Sequence, residues 1–169
     1  RFYSECQNGM VAKPLKVPFV ESKESFYTLR VQEINLIDLG DPSLYVCPTV
    51  FQEKISVSHE LRIVVIGRRL FAFKAVAKEK NALDIRTGGL ENVENTACEI
   101  SESLSSKIIS MLSQFNIPFS SMDFLVDYDG REYFVDLNPN GQWLWLEFLT
   151  GVAMSDVFVE MLISCKMPA

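Results

Sequence analysis

Asp123 and Asp136 are the residues whose types and spacing point most directly to chemistry. The dipeptide Asp129-Gly130 separates two alternating runs, residues 121–128 and 131–136, and in that setting Asp-Gly marks a hairpin with a two-residue turn. Tyr128 then lies opposite Arg131, and counting outward places Asp123 directly across from Asp136. Opposed side chains sit about 4.5–5.5 Å apart at Cβ, where two carboxylates repel unless something neutralises them. Asn138 projects from the same face as Asp136 by the period of two and adds an amide oxygen. Hard divalent ions take such oxygen donors, and Mg²⁺ is usually held by one or two carboxylates together with substrate phosphates. The alternative is that both are surface carboxylates of a half-exposed sheet, as expected for Asp127 across from Glu132 beside the turn. Phe124, Val126, Tyr133 and Val135 fall on the opposite face as a core-packing set.

A rival metal reading uses the same residues. The stretch from Asp136 through Asn138, Asn140 and Gly141 to Glu147 satisfies the calcium-loop pattern D-x-[DN]-x-[DN]-G-x₅-E. That loop requires a preceding helix, whereas a hairpin strand precedes Asp136, and Pro139 and Trp143 are unusual within it. Elsewhere the candidates stand alone. Lys13, at the end of an apolar run, is either a phosphate contact or a solvated edge residue. Arg86, in Asp84-Ile85-Arg86, is either a bidentate clamp for phosphate or carboxylate or a loop arginine. His59 is the sole histidine and has no nucleophile beside it; a surface or loop position suits it best. Trp143 and Trp145 read as core or interface. No Gly-x-x-x-x-Gly-Lys-Ser/Thr loop and no Gly-x-Gly-x-x-Gly fingerprint occurs, so phosphates would be held by other means.

The elements that must position these groups follow from periodicity. Short strands are expected over residues 10–15 and 25–31, the two forming a hairpin-like flap, and an extended segment over 46–55. Residues 61–66 and 70–77 read as strands joined at Gly67-Arg68. Residues 83–95 read as loop. Thr96 and Glu99 form a Thr-x-x-Glu capping box ahead of Ile100, Leu104, Ile108, Leu112 and Phe115, which predicts a helix from Thr96 that Pro118 stops. A last helix is expected from Ser155, with Val157, Met161 and Leu162 on one face.

Composition sets the outer bounds. The 169 residues are 48% hydrophobic and 22% charged with a net charge of −6, a globular profile that disfavours nucleic acid or anionic membrane as partner. One histidine excludes a multi-histidine zinc site. Four scattered cysteines without a Cys-x-x-Cys pair read as reduced thiols, and with no leader or membrane span evident, a cytoplasmic setting is expected.

Several of these segments together resemble the ATP-grasp superfamily. They are Val11-Ala12-Lys13-Pro14-Leu15, Phe51-Gln52-Glu53-Lys54-Ile55, Glu60-Leu61-Arg62, Met122-Asp123-Phe124 and, most specifically, the block from Asp136 to Trp143, in the family's order. The ending Asn-Pro-Asn-Gly-Gln-Trp, followed by Glu147 and Thr150-Gly151, looks most like the maturases of microviridin-type peptides (graspetides). The resemblance implies an α+β fold of antiparallel sheets with packed helices and a nucleotide site between two subdomains. Residues of about 10–55 would form the lid-like part and hinge, and about 56–169 the metal- and ATP-binding part. It implies Lys13 on the α- and β-phosphates, Gln52, Glu53, Lys54 and Ile55 as the hinge beside adenine, and Glu60 on ribose. Asp123, Asp136 and Asn138 match the family's magnesium ligands, Arg86 its phosphate-neutralising arginine, and Asp84 that arginine's companion. ATP and Mg²⁺ are the implied cofactors, and a precursor peptide the implied partner; a homodimer is possible. The reaction implied makes an acyl phosphate from a side-chain carboxylate and ATP, which a hydroxyl or amine then attacks to give an ester or amide cross-link. A glutamate-type amino-acid ligase, or a non-catalytic module of the same fold, are the alternatives. The family usually has Glu where Asp136 stands, and residues 16–25 lack the glycines of many phosphate flaps. Because the family carries an N-terminal domain and an earlier lysine-bearing lid segment, a chain starting at Arg1 is expected to be a C-terminal catalytic portion, inactive alone.

Overall fold

The computed structural model describes residues 2–6, 8–15, 19–21, 26–28, 31–42, 46, 48–78 and 92–164. Within them an antiparallel five-stranded sheet in the order β10-β9-β6-β7-β8 carries most of the core. Its strands are β6 (Val57–Ile66), β7 (Arg69–Ala77), β8 (Val93–Cys98), β9 (Phe119–Asp127) and β10 (Glu132–Asn138). A three-stranded sheet sets β1 (Met10–Pro14) between β4 (Gln32–Ile34) and β5 (Thr49–Glu53), and β2 (Phe19–Glu21) pairs with β3 (Phe26–Thr28) as a separate hairpin. The expected flap is therefore made by β2 and β3, while β1 pairs elsewhere.

Alternation along β6 divides the large sheet. Leu61, Ile63 and Val65 point to the back, where they pack with Met122, Phe124 and Val126 against Leu104, Ile108 and Leu112 of helix α2 (Glu102–Gln114). Val64 and Ile66 point to the front with Phe73, under Leu146 of α3 (Leu144–Thr150) and Met154 and Val157 of α4 (Ser155–Ser164). A four-residue helix, α1 (Phe2–Glu5), precedes the small sheet. Helices on both faces bury a sheet that is apolar on both sides at one end. Toward the other end the front face turns polar, with Glu60 and Arg62 on β6.

Local signals and tertiary pairing disagree at α2. Thr96 belongs to β8, where it pairs with Lys74, and the helix begins six residues later with Ser101 as its cap, whose Oγ accepts the Leu104 N–H at 3.1 Å. Residues 93–95, expected as loop, are the first part of the same strand. Helix α3 lies in a stretch that the apolar pattern left without a helix, and it ends at Gly151, whose φ of +73° is the left-handed conformation a helix stop favours.

Glu147 joins α3 to α4. One of its carboxylate oxygens accepts the N–H groups of Met154 and Ser155 at 2.9 and 2.8 Å and the Ser155 hydroxyl at 3.0 Å, satisfying donors at the start of α4. Desolvation opposes the charged form, but these three hydrogen bonds outweigh it and hold the carboxyl below its ordinary pKa. A depressed carboxyl pKa adds stability that is complete above the unfolded value and is lost as pH falls through the folded one. Glu147→Ala is therefore expected to lower the melting temperature by about 3 °C at neutral pH, the size of a lost helix cap in a chain of this length. The deficit should shrink as pH is lowered through the carboxylate range; a deficit independent of pH would refute the capping role.

Candidate functional site

The β9–β10 hairpin reaches the expected carboxylate pair by an unexpected route. Its loop has three residues, Tyr128, Asp129 and Gly130: the Gly130 N–H bonds to the Asp127 carbonyl, and the Asp127 N–H to that of Arg131, both at 3.1 Å. Gly130 takes φ +80°, which is the left-handed residue of a three-residue hairpin. Asp127 organises this turn. Its carboxylate accepts the N–H groups of Asp129 and Arg131 at 2.9 and 2.8 Å and the Tyr133 hydroxyl at 3.0 Å. The Arg131 hydrogen bond is the largest influence, and its pKa is lowered.

With three residues in the loop, the strands leave the turn one position out of the expected register, so that Glu132 faces Val126 rather than Asp127 and Phe134 faces Phe124. Beyond Phe134 a bulge at Val135 restores the offset, and Asp136 faces Asp123, Leu137 faces Met122 and Asn138 faces Ser121. Bulges re-aim side chains in this way. Without it Asp136 would point to the back. The expected back-face set is corrected accordingly: Phe134, not Tyr133 or Val135, packs edge-on against Phe124 with centroids 5.6 Å apart, and Val135 is partly exposed.

The charge that neutralises Asp123 is already present. Arg62, directly across from it on β6, donates Nε and Nη2 to the two carboxylate oxygens at 2.8 and 2.7 Å. The guanidinium also lies over the Trp145 ring, 5.9 Å from its centroid. Burial acts to lower the arginine pKa, and it is overcome by the Asp123 hydrogen bond and by the charges of Asp123, Glu60 and Asp136, so the net shift is upward. Three carboxylates, Asp123, Glu60 and Asp136, thus act on this one guanidinium. Arg62 is the member of this cluster that sequence reasoning passed over, although it ends the quoted Glu-Leu-Arg segment; its partner is 61 residues away and only the sheet brings them together.

Asn138 closes the strand into a turn. Its carbonyl accepts the Gly141 N–H at 3.1 Å, and its side-chain oxygen accepts the Asn140 N–H at 2.9 Å. Asn, Pro and Gly at the first, second and fourth positions are the residues a type I turn prefers. A Cβ on Gly141 would lie 2.3 Å from the Ser121 Cβ, so the turn rests directly on β9. Since Asp136 and Asn138 are strand residues and Glu147 caps α4, the calcium-loop reading falls. Among the described residues no three or more His, Cys, Asp or Glu side chains form a metal-holding group; a cation here would rely on Asp123, Asp136, the Asn138 amide and non-protein oxygens.

Lys13, Gln52 and Glu53 lie on the small sheet, Lys13 across from Val50, Gln52 from Val11 and Glu53 from Met10. Lys54 forms an ion pair with Glu33 at 2.7 Å. Only residues 54–56 link β5 to β6, so Lys54 and Ile55 stand in the single direct connector between the two sheets. Glu60 is on the front of the large sheet, in the register row of Ala75 and Leu125. Asp84 and Arg86 lie outside the described residues. His59 is not in a loop: it is half-buried in β6 with the Ser58 hydroxyl 3.3 Å from Nδ1, and burial, then Lys74, lowers its pKa. Trp143 packs on Phe158 with centroids 5.4 Å apart. Cys6 and Cys98 are free thiols. Arg69 pairs with Glu160 at 3.4 Å. Among the described residues no helix is long and apolar enough to cross a membrane.

This architecture is a partial ATP-grasp fold. It is similar to peptide-modifying members of that class: a RiPP-associated ATP-grasp ligase of Chryseobacterium gregarium, solved with ADP and a leader and core peptide, superposes with a TM-score of 0.86 and 25% identity over 98% of this chain and 51% of that one. Macrocyclase MdnC of Microcystis aeruginosa MRC, bound with precursor peptide MdnA, gives 0.80 and 21% over 97% and 50%. ATP-grasp ligase PsnB, complexed with minimal precursor, Mg and ADP, gives 0.73 and 20% over 97% and 48%. The chain therefore spans about half the length of these solved ligases. No protein-family model and no curated protein matches the sequence.

Proposed function

We propose that the chain is the metal- and nucleotide-binding part of an ATP-dependent ligase that installs ester or amide cross-links in a precursor peptide. The observation that carries this reading is the bulge-enforced opposition of Asp123 and Asp136 on the polar front of a sheet whose fold matches peptide ligases. The donor set fits magnesium: two carboxylates and an amide oxygen are hard ligands. Asp123, Asp136 and Asn138 would hold it. When bound, the ion would supply positive charge against the negative charge of nucleotide phosphates.

The remaining roles belong to the chain's own residues. Lys13 and the Gln52–Ile55 segment would hold nucleotide phosphates and adenine, with residues 54–56 as the hinge, and Glu60 would accept from ribose hydroxyls. Arg86 would hold the transferred phosphate, with Asp84 orienting it. Such a site works by positioning and charge compensation, which explains why it needs no histidine. A soluble cytoplasmic enzyme fits this chemistry.

The test is incubation of the protein, as this chain and in its full gene product, with a candidate precursor, ATP and Mg²⁺. Loss of one water per cross-link in the peptide mass, dependent on ATP, is expected from the full product. ATP turnover with free glutamate added to a carboxylate, and no dehydration of any precursor, would replace this reading with the amino-acid ligase.

A further inference from the structure

The two outer strands of the large sheet end it differently. β10 carries the bulge at Val135 and the charges of Glu132 and Asp136, devices by which an outer strand avoids pairing with another chain. β8 has neither bulge nor proline: its six residues pair with β7 in one unbroken register, and Glu94 is its single charge. Among the described residues β7 is the only backbone hydrogen-bond partner of β8, so on its outer side every second residue presents an N–H and a C=O that no other described strand takes up. Helix α3 leaves the space beyond this edge open on the front. The strand it approaches most closely is β8. Leu146 and Leu149, three residues apart, share the inner side of the helix; Leu146 is fully buried, yet Leu149 is 58% exposed. The inner side of α3 therefore runs past the sheet, and Phe148 next to it is 80% exposed. At the same edge the side-chain nitrogen of Asn95, on the front with Ala75, is buried without an acceptor among the described residues, a donor that the present packing leaves unused.

Resting on the peptide-ligase reading above, we propose that the outer side of β8, beneath the overhang of α3, is a docking edge for an extended segment of the peptide substrate, which pairs there as a sixth strand. Main-chain hydrogen bonds to β8 give the affinity and alternate side chains the selectivity. Residues of the segment that face the front cover Leu149 and are apolar. Those between them lie against Glu94 and Thr96, on the back of β8, and are basic or hydroxyl-bearing. The placement also fixes a reach. A sixth strand stands four strand spacings from β9, or about 19 Å, and an extended chain covers about 3.3 Å per residue. The docked segment is therefore separated by about six residues or more from the substrate carboxylate that reacts beside Asp123 and Asp136. A second copy of the chain is the rival occupant, and the net charge of −6 on each copy opposes it.

The test is binding of a fluorescein-labelled candidate precursor to this chain and to its full gene product, by anisotropy without ATP or Mg²⁺, followed by ligation kinetics of the full product. Methylating one backbone nitrogen of the peptide at a time leaves the protein unaltered. Within the docked segment, affinity is expected to fall about tenfold at every second position, where the N–H faces β8, and to hold at the positions between. Leu149→Asp is expected to weaken binding and raise KM for the precursor about tenfold with kcat unchanged, since the leucine only covers the docked segment. Circular dichroism checks that the variant is folded. No binding by the parent, losses without a period of two, or binding that Leu149→Asp leaves unchanged overturns the docking edge. A dimer of the parent that Leu149→Asp dissociates, with peptide affinity unaltered, assigns the edge to a second copy and overturns it as well. Period-two binding with no dehydration of the peptide separates this from the reading beneath it: the docking edge stands and the ligase reading falls.

Discussion

Asp136→Asn is expected to reduce Mg²⁺-dependent ligation by about 100-fold or more while leaving the fold intact, the scale on which metal-site side chains matter. The two halves of that expectation come from different features. Asp136 is exposed on an edge strand, so replacing its charge costs no buried contact and removes a like-charge opposition to Asp123. Asp123→Asn is expected to behave differently. It removes one partner of a largely buried fork and leaves Arg62 without its two-point acceptor, so stability should fall by roughly 1–3 kcal/mol along with the activity. Ligation read by peptide mass, together with thermal melts of both variants, separates the cases. If both variants cross-link precursor at the parental rate, the pair holds no catalytic metal. If Asp136→Asn loses stability as Asp123→Asn does, the pair is a structural device.

The carboxylate pair was legible in the sequence because two departures from the simplest hairpin cancel. Asp129-Gly130 marks a turn, but Asp127 draws Tyr128 into the loop by accepting the N–H groups of Asp129 within it and Arg131 just after it, and the bulge at Val135 then returns the missing residue. Nothing local announces that bulge; it satisfies the apolar faces of Phe134 and Leu137 together with the polar face of Asp136. The misplaced start of α2 has a similar origin. Thr96-x-x-Glu99 and Ser101 both fit capping chemistry, and pairing of β8 with β7 decides between them by claiming Thr96 for a strand. Helix α3 was hidden because seven residues rich in large apolar side chains show no contrast between faces. Arg62 was invisible for a more general reason: its meaning lies in a cross-strand partner, and a single sequence records no such distance.

Gly141→Ala is expected to destabilise the chain by about 1–3 kcal/mol, the usual cost of overpacking, and to weaken metal binding at the same time. The added Cβ would meet the Ser121 Cβ at 2.3 Å and the Ser121 hydroxyl at 3.1 Å, with the Asn138 carbonyl at 3.2 Å. None of these neighbours can yield cheaply. Ser121 is 4% exposed within β9, and the Asn138 carbonyl is the acceptor that closes the turn. The turn must lift, and because Asn138 is held by that same turn through its carbonyl and its side chain, its amide oxygen leaves the face it shares with Asp136. The glycine is thus required by close approach rather than by backbone conformation, and that difference supplies the control. Ser121→Gly removes the nearest contact, so Gly141→Ala combined with Ser121→Gly should recover part of the lost stability and of the Mg²⁺ affinity, beyond the sum of the two single changes. Thermal melts and Mg²⁺ titrations of the four proteins in this cycle measure the coupling. Strictly additive effects would mean that the turn does not bear on β9, and with it would go the account of how the Asn-Pro-Asn-Gly segment aims Asn138 at the carboxylate pair.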